Sequence, residues 1–122
     1  MKKFCIMGFL LLLLPLLAAC VSDFDGSRTG NDRELIMSYR MFNTTDSQEL
    51  TVAAGDNIHV EITAERGQIS LTIQRDGETP LYQAEEIASS DAFDLQANKD
   101  GTYTVSVTGK KAKGAISVVV QK

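Results

Sequence analysis

The side chains best suited to catalysis in this sequence are its single histidine and its two cysteines. His59 lies between Ile58 and Val60 in an alternating apolar–polar segment, so its imidazole is expected on the polar face of a strand. No serine or cysteine stands beside it in a nucleophile motif. One histidine and two cysteines also provide too few ligands for a zinc site of the Cys/His type. We therefore predict no catalytic residue, no metal and no cofactor, and hence no enzyme.

Beyond the N-terminus, the sequence has one basic cluster, formed by Lys110, Lys111 and Lys113. Gly109 and Gly114 flank it, which predicts a hairpin loop. A solvated turn is one interpretation of this loop. A polar contact with an acidic polymer or a lipid headgroup is the functional alternative. Three lysines contribute about 1 kcal/mol each near an anionic membrane, which is too little to hold a protein there unaided.

The N-terminal segment has the layout of a secretory signal peptide. Lys2 and Lys3 form a positive start, and an uncharged run follows from Phe4 to Ala19. This run is a little short for a membrane-spanning helix, which needs about 18 to 20 apolar residues. An ordinary signal peptide and an uncleaved anchor are the alternatives to the more specific interpretation that its last residues support.

Those last residues, Leu17-Ala18-Ala19-Cys20, resemble the lipobox of bacterial lipoproteins. The resemblance implies that the Cys20 thiol receives a diacylglycerol and that a peptidase cuts between Ala19 and Cys20. The acyl chains on Cys20 would anchor the protein, because each buried CH₂ contributes about 0.8 kcal/mol. Cys5 would leave with residues 1–19, so the mature chain would have neither a free thiol nor a disulfide.

Charge limits the possible partners. The chain has 12 basic and 16 acidic residues, for a net charge of −4; loss of Lys2 and Lys3 leaves 10 and 16, or −6. No stripe of arginine or lysine is present to neutralise phosphates, so we expect no nucleic-acid partner. Residues 20–33 are rich in polar residues and glycine, which predicts a flexible tether after the lipidated cysteine. An acidic domain is then expected to stand away from an anionic membrane on that tether.

Residues 34–122 show period-two alternation of apolar and polar residues, interrupted by turn residues. Turns are expected at Arg66–Gly67, at Asp76–Gly77 and at the lysine cluster. The pattern predicts an all-β fold, a small antiparallel β-sandwich of about seven to eight strands, with a small closed barrel as the alternative. The predicted core consists of seventeen side chains: Leu50, Val52, Ile58, Val60, Ile62, Ile69, Leu71, Ile73, Leu81, Phe93, Leu95, Tyr103, Val105, Val107, Ile116, Val118 and Val120.

The segment from Asp100 to Val107, DGTYTVSV, resembles the G-x-Y-x-V-x-V strand of immunoglobulin-like extracellular sandwiches. The resemblance implies a tyrosine corner, in which the hydroxyl of Tyr103 bonds to a nearby backbone group. The cysteines and tryptophan of true immunoglobulin domains are absent. This likeness concerns architecture and implies no function.

Together these observations predict a lipoprotein held on a membrane through the lipid on Cys20, on the extracytoplasmic face of the cell membrane or the outer membrane. Residue 21 is Val, whereas an Asp there favours inner-membrane retention in diderm lipoproteins. The predicted role is a non-catalytic binding or accessory module with an envelope protein or polymer as partner. A structural or stress-related envelope protein without a specific ligand is the alternative, and an enzyme is the less favoured one.

Overall fold

The computed structural model describes residues 23–122, so the predicted signal peptide, its cleavage site and Cys20 lie outside the described residues. Every regular element in the described part is a β-strand, which confirms the all-β prediction. No helix in this part has the length and apolar character needed to cross a membrane. The strands are β1 (Phe24–Asn31), β2 (Glu34–Phe42), β3 (Thr45–Val52), β4 (Asn57–Arg75), β5 (Pro80–Ile87), β6 (Asp91–Gln96) and β7 (Gly101–Gln121).

Strand β7 connects most of the antiparallel sheet. Its first half pairs with β3 and with the second half of β4, and its second half pairs with β2 and with the first half of β4. β1 adds to β2, while β6 and β5 add to the first and second halves of β4. One layer therefore has five strands: β1, β2, the second half of β7, the first half of β4, and β6. The other has four: β3, the first half of β7, the second half of β4, and β5.

The two layers face each other because β4 and β7 bend near their midpoints. In β4, the buried side chains occupy even positions up to Ile62 and odd positions from Ile69 onwards. In β7, they change from odd to even positions between Val107 and Ala112. Bulges at these bends shift the pairing register and turn the strands. The buried faces of both layers thus contribute to one core, as in a β-sandwich, and the sheet is not closed into a barrel.

Two of the expected turns are wrong. Arg66–Gly67 lies inside β4 and the lysine cluster lies inside β7, so the predicted hairpin loop is a bend in a continuous strand. Gly67 and Lys111 have φ angles of +71° and +47°, in the left-handed region that turns also use. Local sequence therefore carries the same signal for a bend as for a turn.

The tether predicted for residues 20–33 is wrong for residues 24–31. These residues form strand β1, which pairs with β2 over its length. Seven of the eight residues of β1 are exposed, so the segment lacks the apolar alternation by which the other strands were predicted. Arg28 instead secures β1 to the edge of the opposite layer. Its Nε lies 2.7 Å from Asp46 Oδ2, and its Nη2 donates to the Ser47 carbonyl at 3.0 Å.

Fourteen of the seventeen predicted core side chains are buried, while Leu81, Phe93 and Leu95 are half-buried against the core. The expected tyrosine corner is present, since the Tyr103 hydroxyl donates to the Lys99 carbonyl at 2.9 Å. The core also contains six buried residues outside that set: Leu35, Met37, Tyr39, Phe42, Ala97 and Ala112.

Candidate binding surfaces

The connections between strands gather at two ends of the sandwich. We call one the loop end; it contains residues 32–33, 53–56, 76–79 and 97–100. We call the other the bent end; it contains residues 43–44 and 88–90 and the bends at 64–68 and 109–114. The described chain begins at the bent end, where the Asp23 carbonyl accepts a hydrogen bond from the Asn43 N–H at 2.7 Å.

The structure places the three predicted lysines together at the bent end. In a regular strand, consecutive side chains point to opposite faces. The left-handed residue Lys111 interrupts this alternation, so that Lys110 and Lys111 are both exposed. The Lys111 N–H donates to Asn43 Oδ1 at 3.0 Å, which fixes the bend. Lys113 is half-buried, with its Nζ 3.8 Å from Glu65 Oε1.

A second surface, which sequence analysis did not identify, covers the outside of the four-stranded layer. Pairing aligns Ser70 of β4, Thr108 of β7 and Thr45 of β3 in one row. The next row along the strands contains Thr72, Ser106 and Ser47. We call these six residues the hydroxyl face.

None of these six side chains is charged or aromatic, and Asp76 lines a shallow depression together with Thr72 and Ser106. The Thr45 and Thr108 hydroxyls lie 2.9 Å apart, and the Ser47 and Ser106 hydroxyls lie 3.5 Å apart. Each hydroxyl has one donor and two acceptor sites, so such a pair keeps hydrogen-bonding capacity for a ligand. The alternation of Ser and Thr with apolar residues was visible in each strand. Only the pairing of strands distant in sequence shows that the hydroxyls share one surface.

His59 lies on the outside of the five-stranded layer, between two carboxylates. Its Nδ1 is 2.6 Å from Asp94 Oδ1, and its Nε2 is 2.8 Å from Glu61 Oε2. The hydrogen bonds to Asp94 and Glu61 raise the pKa of His59 above its usual value. Hydrogen bonds from Asn57 and His59 lower the pKa of Asp94. The Nδ1 contact links β4 to Asp94 of β6, while the Nε2 contact stays within β4. Both ring nitrogens are thus engaged, and neither is free to activate a hydroxyl.

The loop end has a shallow depression of about 180 Å³, lined in part by Arg75, Glu78 and Lys99. Glu78 Oε2 lies 2.7 Å from Arg75 Nη1 and 3.2 Å from Lys99 Nζ. The Lys99 hydrogen bond is the main cause of the lowered pKa of Glu78. Both cations of this depression are already paired, so the network joins two loops. Within residues 23–122, no group of three or more His, Cys, Asp or Glu residues is placed to hold a metal ion.

No protein-family model and no curated protein sequence matches the chain. Among solved structures, the pre-peptidase C-terminal domain of a collagenase from Bacillus anthracis is similar over 76% of this chain and 91% of that chain, with 18% identity and a TM-score of 0.53. PliG, a periplasmic inhibitor of g-type lysozyme from Aeromonas hydrophila, is similar over 80% of this chain and 88% of its own, with 17% identity and a TM-score of 0.46. The collagenase domain shares the fold of this chain, in agreement with the β-sandwich.

Proposed function

We propose that this chain is a lipid-anchored envelope lipoprotein that acts as a non-catalytic binding module for a polyhydroxylated polymer. The lipobox resemblance of residues 17–20 supports the anchor on the extracytoplasmic face of a membrane. The hydroxyl face is the observation that carries the binding role. It offers six adjacent Ser and Thr hydroxyls and no charge, and glycan chains present groups of the same hydrogen-bonding type.

A polymer fits this surface better than a small sugar does. A single hydrogen bond contributes only about 0.5–1.5 kcal/mol net, because it replaces a bond to water. The hydroxyl face provides no aromatic ring on which a sugar could stack, so each sugar unit gains little. Adjacent strands are spaced about 4.8 Å apart and alternate residues about 6.6 Å apart, which gives a regular set of contacts. A repetitive polymer can engage several of them at once and bind by avidity.

The binding role is tested by removing hydroxyls while keeping the shape of the surface. The variant carries Ser47→Ala, Thr72→Val and Ser106→Ala, which together form the second row of the hydroxyl face. The matched control carries Ser38→Ala, Thr63→Val and Ser117→Ala, which lie on the outside of the five-stranded layer. The assay is co-sedimentation with insoluble peptidoglycan sacculi, chosen as a glycan polymer of the envelope.

We expect the unmodified protein and the control to sediment with sacculi, and the hydroxyl-face variant to bind at least about tenfold more weakly. This estimate follows from three lost hydrogen bonds of about 1 kcal/mol each, partly replaced by water. Equal binding by all three proteins would show that the hydroxyl face is not the site. Failure of the unmodified protein to sediment would contradict binding to this polymer and favour the structural role.

The anchor is tested separately through the two cysteines. Cys20→Ser is expected to leave the precursor uncut and free of acyl chains, because the thiol that accepts the lipid is missing. Cys5→Ser is the matched control and is expected to mature normally, since Cys5 leaves with residues 1–19. Intact mass and partition into a detergent phase report both events. Lipidation of the Cys20→Ser protein would contradict the proposed anchor.

A further inference from the structure

The proposed lipid on Cys20 would lie close to the folded domain. Cys20 precedes Asp23 by three residues, and Asp23 is hydrogen-bonded to Asn43 at the bent end. Three residues span at most about 11 Å when fully extended. An acyl chain on Cys20 would therefore hold the bent end within about 11 Å of the bilayer, instead of on a tether of 13 residues.

Charge is divided unequally between the two ends of the domain. The bends and connections of the bent end contain one anion, Glu65, and four cations: Arg66, Lys110, Lys111 and Lys113. Asp23 adds one further carboxylate beside them. The connections of the loop end contain two cations, Arg33 and Lys99, and five anions: Asp32, Asp56, Asp76, Glu78 and Asp100. The two bends of the bent end are thus basic, although Glu86 and Asp91 on the adjoining strand ends are acidic, whereas the connections of the loop end are acidic.

The acidic loop end lies far from the bent end. The first half of β7 runs from the loop end at Gly101 to the bent end at Lys110. Ten residues of strand extend about 33 Å. Charges are largely screened beyond about 8 Å at physiological ionic strength. An anionic surface beside the bent end therefore interacts with the lysines there, while the carboxylates of the loop end are screened from it.

The side chains of Lys110 and Lys111 are available for contact with an anionic group. Within residues 23–122, neither Lys110 nor Lys111 forms an ion pair, and Lys111 contacts Asn43 through its backbone N–H and not through its ammonium group. Both residues line a shallow depression of about 510 Å³ with Gly67, Gln68 and Ala88. The left-handed conformation of Lys111 brings two consecutive ammonium groups to the same end of the domain.

We infer that the bent end lies against the bilayer and that Lys110 and Lys111 contact anionic phospholipid headgroups. This inference rests on the proposed lipidation of Cys20. The lipid supplies the attachment, and the lysines set the orientation of the sandwich, with the loop end directed away from the membrane. The hydroxyl face then runs perpendicular to the bilayer, where a polymer can reach it.

The test uses the full lipidated protein in vesicles. The proposed maturation leaves no other cysteine, so Gln68→Cys at the bent end and Gly77→Cys at the loop end each provide a single labelling site. Each labelled protein is placed in vesicles of phosphatidylcholine alone and in vesicles with 30% phosphatidylglycerol, both with a headgroup quencher. We expect strong quenching at position 68 and little at position 77. Phosphatidylglycerol should increase the quenching at position 68.

The lysine dependence is tested with Lys110→Gln and Lys111→Gln together. Each lysine is expected to contribute about fivefold to the population of the oriented state, so the pair should abolish the effect of phosphatidylglycerol. Lys99→Gln with Lys122→Gln changes net charge equally at the loop end and should leave the effect intact. If the full-length protein purified from cells carried no acyl chain, both the anchor and this orientation would be overturned. A lipidated protein with equal quenching at both positions, or with no response to phosphatidylglycerol or to the lysines, would overturn the orientation alone.

Discussion

The tyrosine corner allows a quantitative test of how the loop end is stabilised. The Tyr103 side chain is only 3% exposed, and its hydroxyl donates to the Lys99 carbonyl at 2.9 Å. Tyr103→Phe keeps the buried ring and removes this bond. Loss of the bond costs about 1 kcal/mol, and the carbonyl left without its donor adds up to about 1 kcal/mol more. For a domain of about 100 residues, each kcal/mol lowers the Tm by about 4–8 °C.

The control is Tyr82→Phe. The Tyr82 ring is half-buried and packs against Phe93 with ring centroids 4.8 Å apart. Its hydroxyl makes no hydrogen bond within residues 23–122, so its removal should change the free energy of unfolding by less than about 0.5 kcal/mol. Both variants are followed by thermal unfolding with circular dichroism at one pH. Equal Tm values for Tyr103→Phe and Tyr82→Phe would refute the role assigned to the corner.

Three further predictions concern other parts of the fold. Gly67→Ala should destabilise the domain by more than Gly77→Ala in urea unfolding, because both glycines have positive φ but only Gly67 lies against backbone carbonyls; Gly77→Ala alone should cost about 1–2 kcal/mol. His59 has a folded-state pKa above its unfolded value, so its contribution to stability should be complete below about pH 6.5 and disappear as the pH rises through the folded-state pKa. The lowered pKa of Asp94 sets the lower limit, since its contribution is lost as the pH falls through that value. The Tm difference between the unmodified protein and His59→Gln should therefore be larger at about pH 5.5 than at about pH 9, and a constant difference would contradict this. The paired amides of β1 should exchange with solvent more slowly than free-peptide amides, and free-peptide rates would mean that residues 24–31 are a tether after all.

The sequence predicted those strands in which one face is buried, because their apolar and polar residues alternate. Ile58, Val60 and Ile62 alternate with polar residues, and one-sided burial of a strand requires this spacing. β1 was missed because it is held by backbone pairing and by the Arg28 contacts, which leave no apolar period. Local sequence predicts turns at Gly67 and Lys111, where the structure has bends, because a left-handed residue occurs in bends as well as in turns. A bend differs from a turn in that the same strand continues beyond it with its buried side chains moved from even to odd positions, or the reverse. This change is visible only along the whole strand.

The candidate surfaces were predictable to different degrees. The exposure of the lysines follows from their charge, but their position beside the start of β1 depends on tertiary structure. The hydroxyl face depends on pairing between β3, β4 and β7, and local patterns do not determine strand order. The position of His59 on the polar face of a strand was predicted correctly. One of its two carboxylate partners, Asp94, lies on another strand 35 residues away in sequence, so the local pattern did not indicate it.

The position of β7 in the sheet has a consequence for the timing of folding. β2, β3 and β4 all pair with this strand, and β7 follows every other strand along the chain. Until β7 is available, each of the three strands lacks a neighbour, and neither layer can bury its apolar face. A chain translocated from its N-terminus, as the proposed signal peptide would require, would therefore remain unfolded until Gly101–Gln121 had crossed the membrane. A sheet completed by its last strand is in this way compatible with passage through a narrow export channel.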